Sequence, residues 1–258
     1  MTTNFHDAKT YIGSLDLSGT ARGLIHQSAA TEATEVFDKA KTQAQVVGSG
    51  LMAFREGVEA ETREAISDSA LLAQLVANKR VDPVADPVGW FKEYAGVLQN
   101  VGWTLQDAGW NDYSATGTAA DVSEKIIELL PVILGPGAAA ITIVTTAVSA
   151  LRAMNPNSSW ITIFSRETQK AKLARFQVGL VETGVQGAIQ VSLLACLIEA
   201  KTTITQVLFF RFKAEQASFR ASANKVTINP AALNDLAQTI RTKVRAYQVD
   251  YLSSIKDI

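Results

Sequence analysis

The chain has 258 residues, 24 Lys and Arg against 25 Asp and Glu, one cysteine and two histidines. A formal charge of −1 excludes nucleic acid as the main partner, because neutralising phosphates requires a basic excess. One cysteine forms no internal disulfide, one cysteine and two histidines build no Cys/His zinc cluster, and 47% hydrophobic with 19% charged residues excludes a disordered chain.

The first residues are interrupted by Asp7, Lys9 and Asp16 and contain no long apolar run. They do not read as a secretory signal. The expectation is a protein that is cytoplasmic when made and exported, if at all, by a non-classical route. Residues 1–28 have weak periodicity and predict an irregular arm with a short helix at most. From Glu32, the residues Val36, Ala40, Ala44, Val47, Leu51, Phe54 and Val58 recur at spacings of three and four, which predicts a helix. Ser67 or Asp68 is the expected cap of a following helix through Leu71, Leu72, Leu75 and Val76. Two Asp-Pro steps at 82–83 and 86–87 stop it. A third helix begins near Pro87 and stacks Trp90, Tyr94 and Leu98 at i,i+4 steps, with Phe91 beside them and Trp103 beyond. A helix from about Asp121 to Leu134 and an Ala-rich one to Met154 follow.

Leu129–Leu151 carries no formal charge over 23 residues. That length suffices for a membrane span. Pro131, Gly135, Pro136 and Gly137 break it, so it resolves into two short helices. They form either a buried hairpin or a membrane-inserting one.

After the Asn155–Ser159 loop the character changes. Trp160–Phe164 reads as a β run. Phe176, Val178 and Leu180 alternate with Gln177, Gly179 and Val181, and Glu182-Thr183-Gly184 suggests a hairpin turn. Further strands are expected at Leu208–Lys213 and Phe219–Ile228. Asn229 caps a last helix with Pro230 in its first turn. The predicted fold class is α+β: a helix-rich N-terminal half packed on an antiparallel or mixed β-sheet with a C-terminal helix. Residues 1–155 form the mainly helical part, and residues 156–258 the antiparallel sheet plus C-terminal helix, together one intertwined unit.

Few constellations carry chemistry. Gly48-Ser49-Gly50-Leu51-Met52-Ala53 matches G-x-G-x-x-A, but a dinucleotide site needs a strand before it and a helix after it. Inside a helical pattern the glycines instead allow close packing. His6 and His26 lie in the weakly patterned arm, and no G-x-S-x-G elbow is present. Glu56, Glu59, Glu61 and Glu64, interleaved with Arg55 and Arg63, read as a solvated face. Trp90, Phe91, Tyr94, Trp103, Trp110 and Tyr113 suit either a core or an apolar pocket or membrane interface. Cys196 lies in the uncharged run Val191–Ile198. In a strand, Cys196 shares one face with Gln190, Ser192, Leu194 and Ile198. Without a cation nearby nothing favours the thiolate, so the thiol is either a small buried hydrophobe or the carrier of a modification.

The run Trp90-Phe91-x-x-Tyr94-x-x-x-Leu98-x-x-x-Gly102-Trp103, followed by a capped helix, an Ala-rich helix, Phe176-Gln177-Val178-Gly179 and Phe209-Phe210-Arg211-Phe212, resembles the Evf-like (Erwinia virulence factor) family of small bacterial and fungal proteins. The likeness spans roughly residues 30–258. It implies a protein without known enzymatic activity. It also implies a palmitate or similar fatty acyl chain joined by thioester to a cysteine and held in an apolar cavity. Here the only matching position is Cys196. The expected function is then a non-enzymatic virulence or host-interaction factor, with a buried S-palmitoyl chain and peripheral membrane association. Its partners are a lipid or membrane surface and a host target, without nucleic acid or metal. The alternative is a helical-hairpin pore-forming or membrane-inserting toxin built on Leu129–Leu151. A weaker third reading makes Cys196 the nucleophile of an acyl-handling enzyme.

Overall fold

The computed structural model describes residues 5–19, 37–105, 109–113, 120–134, 138–153, 158–184, 187–204, 211–212 and 217–255. In chain order, α1 (Phe5–Ser14) precedes a hairpin of β1 (Gln43–Val47) and β2 (Gly50–Phe54). Then come α2 (Ala60–Arg80), α3 (Pro87–Asn100) and three short strands, β3 (Trp103–Thr104), β4 (Asn111–Tyr113) and β5 (Ala120–Asp121). Three helices follow: α4 (Val122–Leu134), α5 (Ala138–Ala153) and α6 (Ser159–Thr168). The C-terminal part contains β6 (Gln169–Lys170), β7 (Leu173–Thr183), β8 (Ile189–Ala200), β9 (Arg211–Phe212) and β10 (Ala217–Ile228). It closes with α7 (Pro230–Val244), α8 (Gln248–Tyr251) and β11 (Leu252–Ile255).

The main sheet runs β11-β1-β2-β7-β8-β10-β3, with β4 also on β10 and β6 also on β7. Every pairing in it is antiparallel except β2 with β7, so the sheet is mixed. β5 and β9 form a separate two-stranded pair.

Alternation along β7 and β8 sorts side chains into two layers. Ala174, Phe176, Val178, Leu180, Leu194, Cys196 and Ile198 join one apolar cluster with α4, α5 and α6. Val181, Ile189, Val191, Leu193 and Ala195 join the other with α1, α2, α3 and α7. The result is helices on both faces of one sheet, the helix-rich α+β class the sequence predicts.

The hairpin at 43–54 replaces the predicted helix over this stretch. All five residues of β1 and all five of β2 are buried. A strand apolar on both faces loses its two-residue alternation, and its chance spacings of three and four then mimic a helix. Gly48, at φ +51°, makes the left-handed turn that joins the two strands. The glycine motif is therefore a hairpin turn, not helix packing. Trp160–Phe164 is helical instead of β: Ile161, Phe164 and Thr168 are buried at helical spacing, within a short apolar run that periodicity alone does not resolve. Ser67 and Asp68 do not cap a helix. They sit in the middle of α2, which is buried from Thr62 to Ala77 except at Glu64. Asp68 accepts from Arg241 Nε (3.1 Å) and Gln248 Nε2 (2.6 Å), tying α2 to α7 and α8. The Asn229 cap is as predicted: its Oδ1 accepts from the backbone N–H of Ala231 (3.0 Å) and Ala232 (3.4 Å). Of the strand expected at 208–213, residues 208–210 and 213 lie outside the described residues, and Arg211 and Phe212 form β9.

One buried side chain fixes the hairpin to α2. Arg63 is fully buried, with Nε on Val58 O (2.9 Å), Nη1 on Gln43 Oε1 (3.0 Å) and Nη2 on the carbonyls of Lys41 and Arg55 (2.9 Å each). Its guanidinium also lies near the Phe37 and Phe54 rings, 5.9 and 5.8 Å from their centroids. Arg63→Met keeps the packing volume but orphans four acceptors. It is expected to lower unfolding stability by about 3 kcal/mol, read as a lower urea midpoint. Arg63→Lys, lacking the planar fork, should not restore it.

Candidate functional site

Cys196 sits at the centre of the sheet, fully buried, where sequence alternation places it. Its cross-strand neighbours are Phe176 on β7 and Ala221 on β10. Over this face lie Ile126, Leu129 and Leu130 of α4, Val144, Ala147 and Val148 of α5, and Phe164 of α6, whose ring meets Phe176 at 6.0 Å. Burial in this apolar layer pushes the thiol pKa well above its ordinary value. Among the described residues no histidine accompanies it in this layer. His6 belongs to α1, which packs on α7 in the opposite layer, and His26 lies outside the described residues. The geometry thus disfavours a nucleophilic Cys196.

The uncharged stretch becomes α4 and α5, with Gly135–Gly137 outside the described residues. Pro131 lies inside α4 and is exposed. Among the α5 residues whose side chains are described, the outward ones are Thr142, Thr146 and Ser149, and Thr146 Oγ1 donates to Thr142 O at 2.8 Å. At about 1.5 Å per residue the two helices reach roughly 20 and 24 Å, short of an apolar bilayer core of about 30 Å. Among the described residues no helix is long and apolar enough to cross a membrane. The described part of this layer also buries a cation. Lys125 of α4 is buried and donates to the exposed carboxylate of Glu128 at 2.8 Å.

The other sequence candidates separate. The aromatic cluster lies on the far side of the sheet from Cys196. Trp90 stacks on Tyr94 (5.5 Å between centroids), and Phe91 packs edge-on to Trp90 (5.2 Å) and tilted against Trp110 (5.0 Å). With Trp103 these form core, not a shared site with the thiol. The Tyr113 side chain lies outside the described residues. Glu64 pairs with Arg241 at 2.5 Å and Glu59 with Lys39, so these two acidic residues serve ion pairs. Among the described residues no group of three or more His, Cys, Asp or Glu could hold a metal ion.

Sequence reading also missed Arg175. Its one signal was a charge set in the apolar run of β7. It is buried, with its guanidinium 3.6 Å from the centroid of Trp90.

No family model matches this chain, and no curated protein does. Solved structures do show likeness. One described as a delta-endotoxin shares 12% identity over 71% of this chain and 84% of its own, at a TM-score of 0.36. The activated Cyt2Ba monomer from Bacillus thuringiensis subsp. israelensis shares 14% over 54% and 79%, at 0.31. The Evf virulence factor shares 13% over 87% of each chain, at 0.36. The likeness is shared among these structures and is not specific to Evf. At these scores the likeness does not extend to a site or an activity.

A sealed thiol has a direct consequence. With any thioester first removed by hydroxylamine, Cys196 in native protein should react with a disulfide-exchange reagent at least a hundredfold more slowly than in urea-unfolded protein, followed by absorbance of the released thiolate.

Proposed function

We propose that this protein is a non-enzymatic virulence or host-interaction factor that works at a lipid surface. In this reading the α4–α5 layer faces lipid, and Cys196 carries a palmitate or similar acyl chain in thioester linkage. One observation carries it: the uncharged stretch folds as two helices directly over the apolar sheet face at whose centre lies the only thiol. The outer face of α5 presents hydroxyls and no charge at its exposed described positions, and a hydroxyl bonded back to its own helix costs little to move into an interface. Each methylene buried beside Cys196 contributes about 0.8 kcal/mol, so a long chain held there would contribute on the order of 10 kcal/mol. Burial of the thiol sets the order of events. Transfer from an acyl thioester to Cys196, with release of the donor thiol, belongs to a state in which α4 and α5 have not yet closed over the sheet. One chain held inside the fold adds little to membrane affinity, so attachment is peripheral.

A second reading, a hairpin that inserts to form a pore, draws on the same stretch. The short helices and the charge of Lys125 count against a simple span in this fold.

Intact mass before and after hydroxylamine tests the thioester: loss of one acyl-sized mass, absent in Cys196→Ser, is expected, and an unchanged mass overturns acylation. Vesicle flotation with encapsulated dye tests the lipid surface. Flotation without release is the expected result, release supports the inserting hairpin, and failure to float overturns both.

A further inference from the structure

The buried cation in the layer over Cys196 is held by a partner that stands in water. On α4, Val122, Ile126, Leu129 and Leu130 form the stripe that packs on the sheet. Lys125 comes three residues after Val122 and four before Leu129, so it borders that stripe. Its side chain is 4% exposed, whereas that of Glu128, which accepts from its Nζ at 2.8 Å, is 58% exposed. Among the described residues Lys125 has no second acceptor.

Such a pair holds α4 down weakly. An ammonium taken out of water loses hydration, and one carboxylate that is itself still hydrated restores only part of it. Two further features of α4 point the same way. Ser123 is buried in its first turn, and its Oγ has no partner among the described residues. Pro131 removes the helical donor for the Ile127 carbonyl. Lifting α4 from the sheet returns water to the ammonium and the hydroxyl. It exposes four apolar side chains, and burial in an acyl interface offsets that cost.

The ion pair also defines what would open it. Lys125 is the one cation of α4, and the outer arc is Glu124, Glu128 and Pro131, all exposed. With the apolar stripe among acyl chains, a lysine bordering the stripe extends to the level of the lipid phosphates. A phosphate meets Nζ in the lifted state and not in the closed one, where Lys125 is enclosed. A difference of that kind is what shifts an equilibrium between two states.

We infer that the Lys125–Glu128 pair is a latch on α4, opened by a phospholipid surface whose phosphate takes the place of Glu128 on Lys125. The inference rests on the reading of a protein that works at a lipid surface, and it holds with or without an acyl chain on Cys196.

The test compares flotation of the full chain with vesicles of phosphatidylcholine and of digalactosyldiacylglycerol. Both are uncharged overall, and only the first bears phosphate. About tenfold stronger binding to phosphatidylcholine is expected, the worth of one hydrogen bond to a charged group. Lys125→Met is expected to remove that preference and to raise the urea midpoint, because an apolar side chain packs under α4 without a charge to desolvate. Lys125→Arg is expected to keep the preference. Equal binding of the unaltered chain to the two lipids overturns the latch and leaves the lipid reading standing, whereas binding to neither overturns both. A preference that survives in Lys125→Met also overturns the latch. If that variant does not fold, Lys125→Gln carries the same expectation for the lipid preference.

Discussion

The structure depends on one constraint: a central sheet that must be covered on both faces at once. β7 and β8 are buried along nearly their whole length, and neither face can be left to water. Each apolar side chain on one face calls for a helix above it, and its neighbour calls for another below. The helices therefore sort by layer and not by order. α1, α2, α3 and α7 go to one side and α4, α5 and α6 to the other. α2, enclosed almost all round, shows the consequence in its own sequence, where polar Ser67, Asp68 and Gln74 are buried beside leucines.

The two layers differ in chemistry. The α2–α3 side contains a chain of buried polar groups: Gln74, Ser49, Gln177, Arg175 and Asn78. Asn78 Oδ1 in turn accepts from Trp90 Nε1 at 2.8 Å. Such a network adds little net stability but rejects mispacked alternatives, because each wrong register strands a donor. The α4–α6 side is nearly dry, with Lys125 the buried cation among its described residues. Aliphatic contacts are less particular about register, so this layer is the easier one to displace from the sheet.

The fold was legible where local chemistry and tertiary demand agreed. β10 and α7 followed from alternation and from the Asn229-Pro230 start, and the facing of Cys196 followed from counting by twos. Legibility failed where burial was two-sided. β1 and β2 have no polar face to report their period, and Ile161 and Phe164 read equally well as strand or helix. Of the candidate site, the thiol and the uncharged stretch were visible because composition alone marks them. The Arg175–Gln177–Ser49 group was not, because its members come from β7 and a distant hairpin turn, and only the parallel pairing of β2 with β7 joins them.

That parallel pairing has a consequence for synthesis. Gly50 meets Gln177 across more than a hundred residues of chain. At ribosomal speeds of about 5–20 residues per second, the N-terminal hairpin waits on the order of ten seconds with both edges unmatched, since β7 and β11 are made after it. Contacts of such long sequence separation form slowly. The nascent chain therefore emerges with an apolar ribbon whose edges are open to pairing with other chains until β7 and β11 are made.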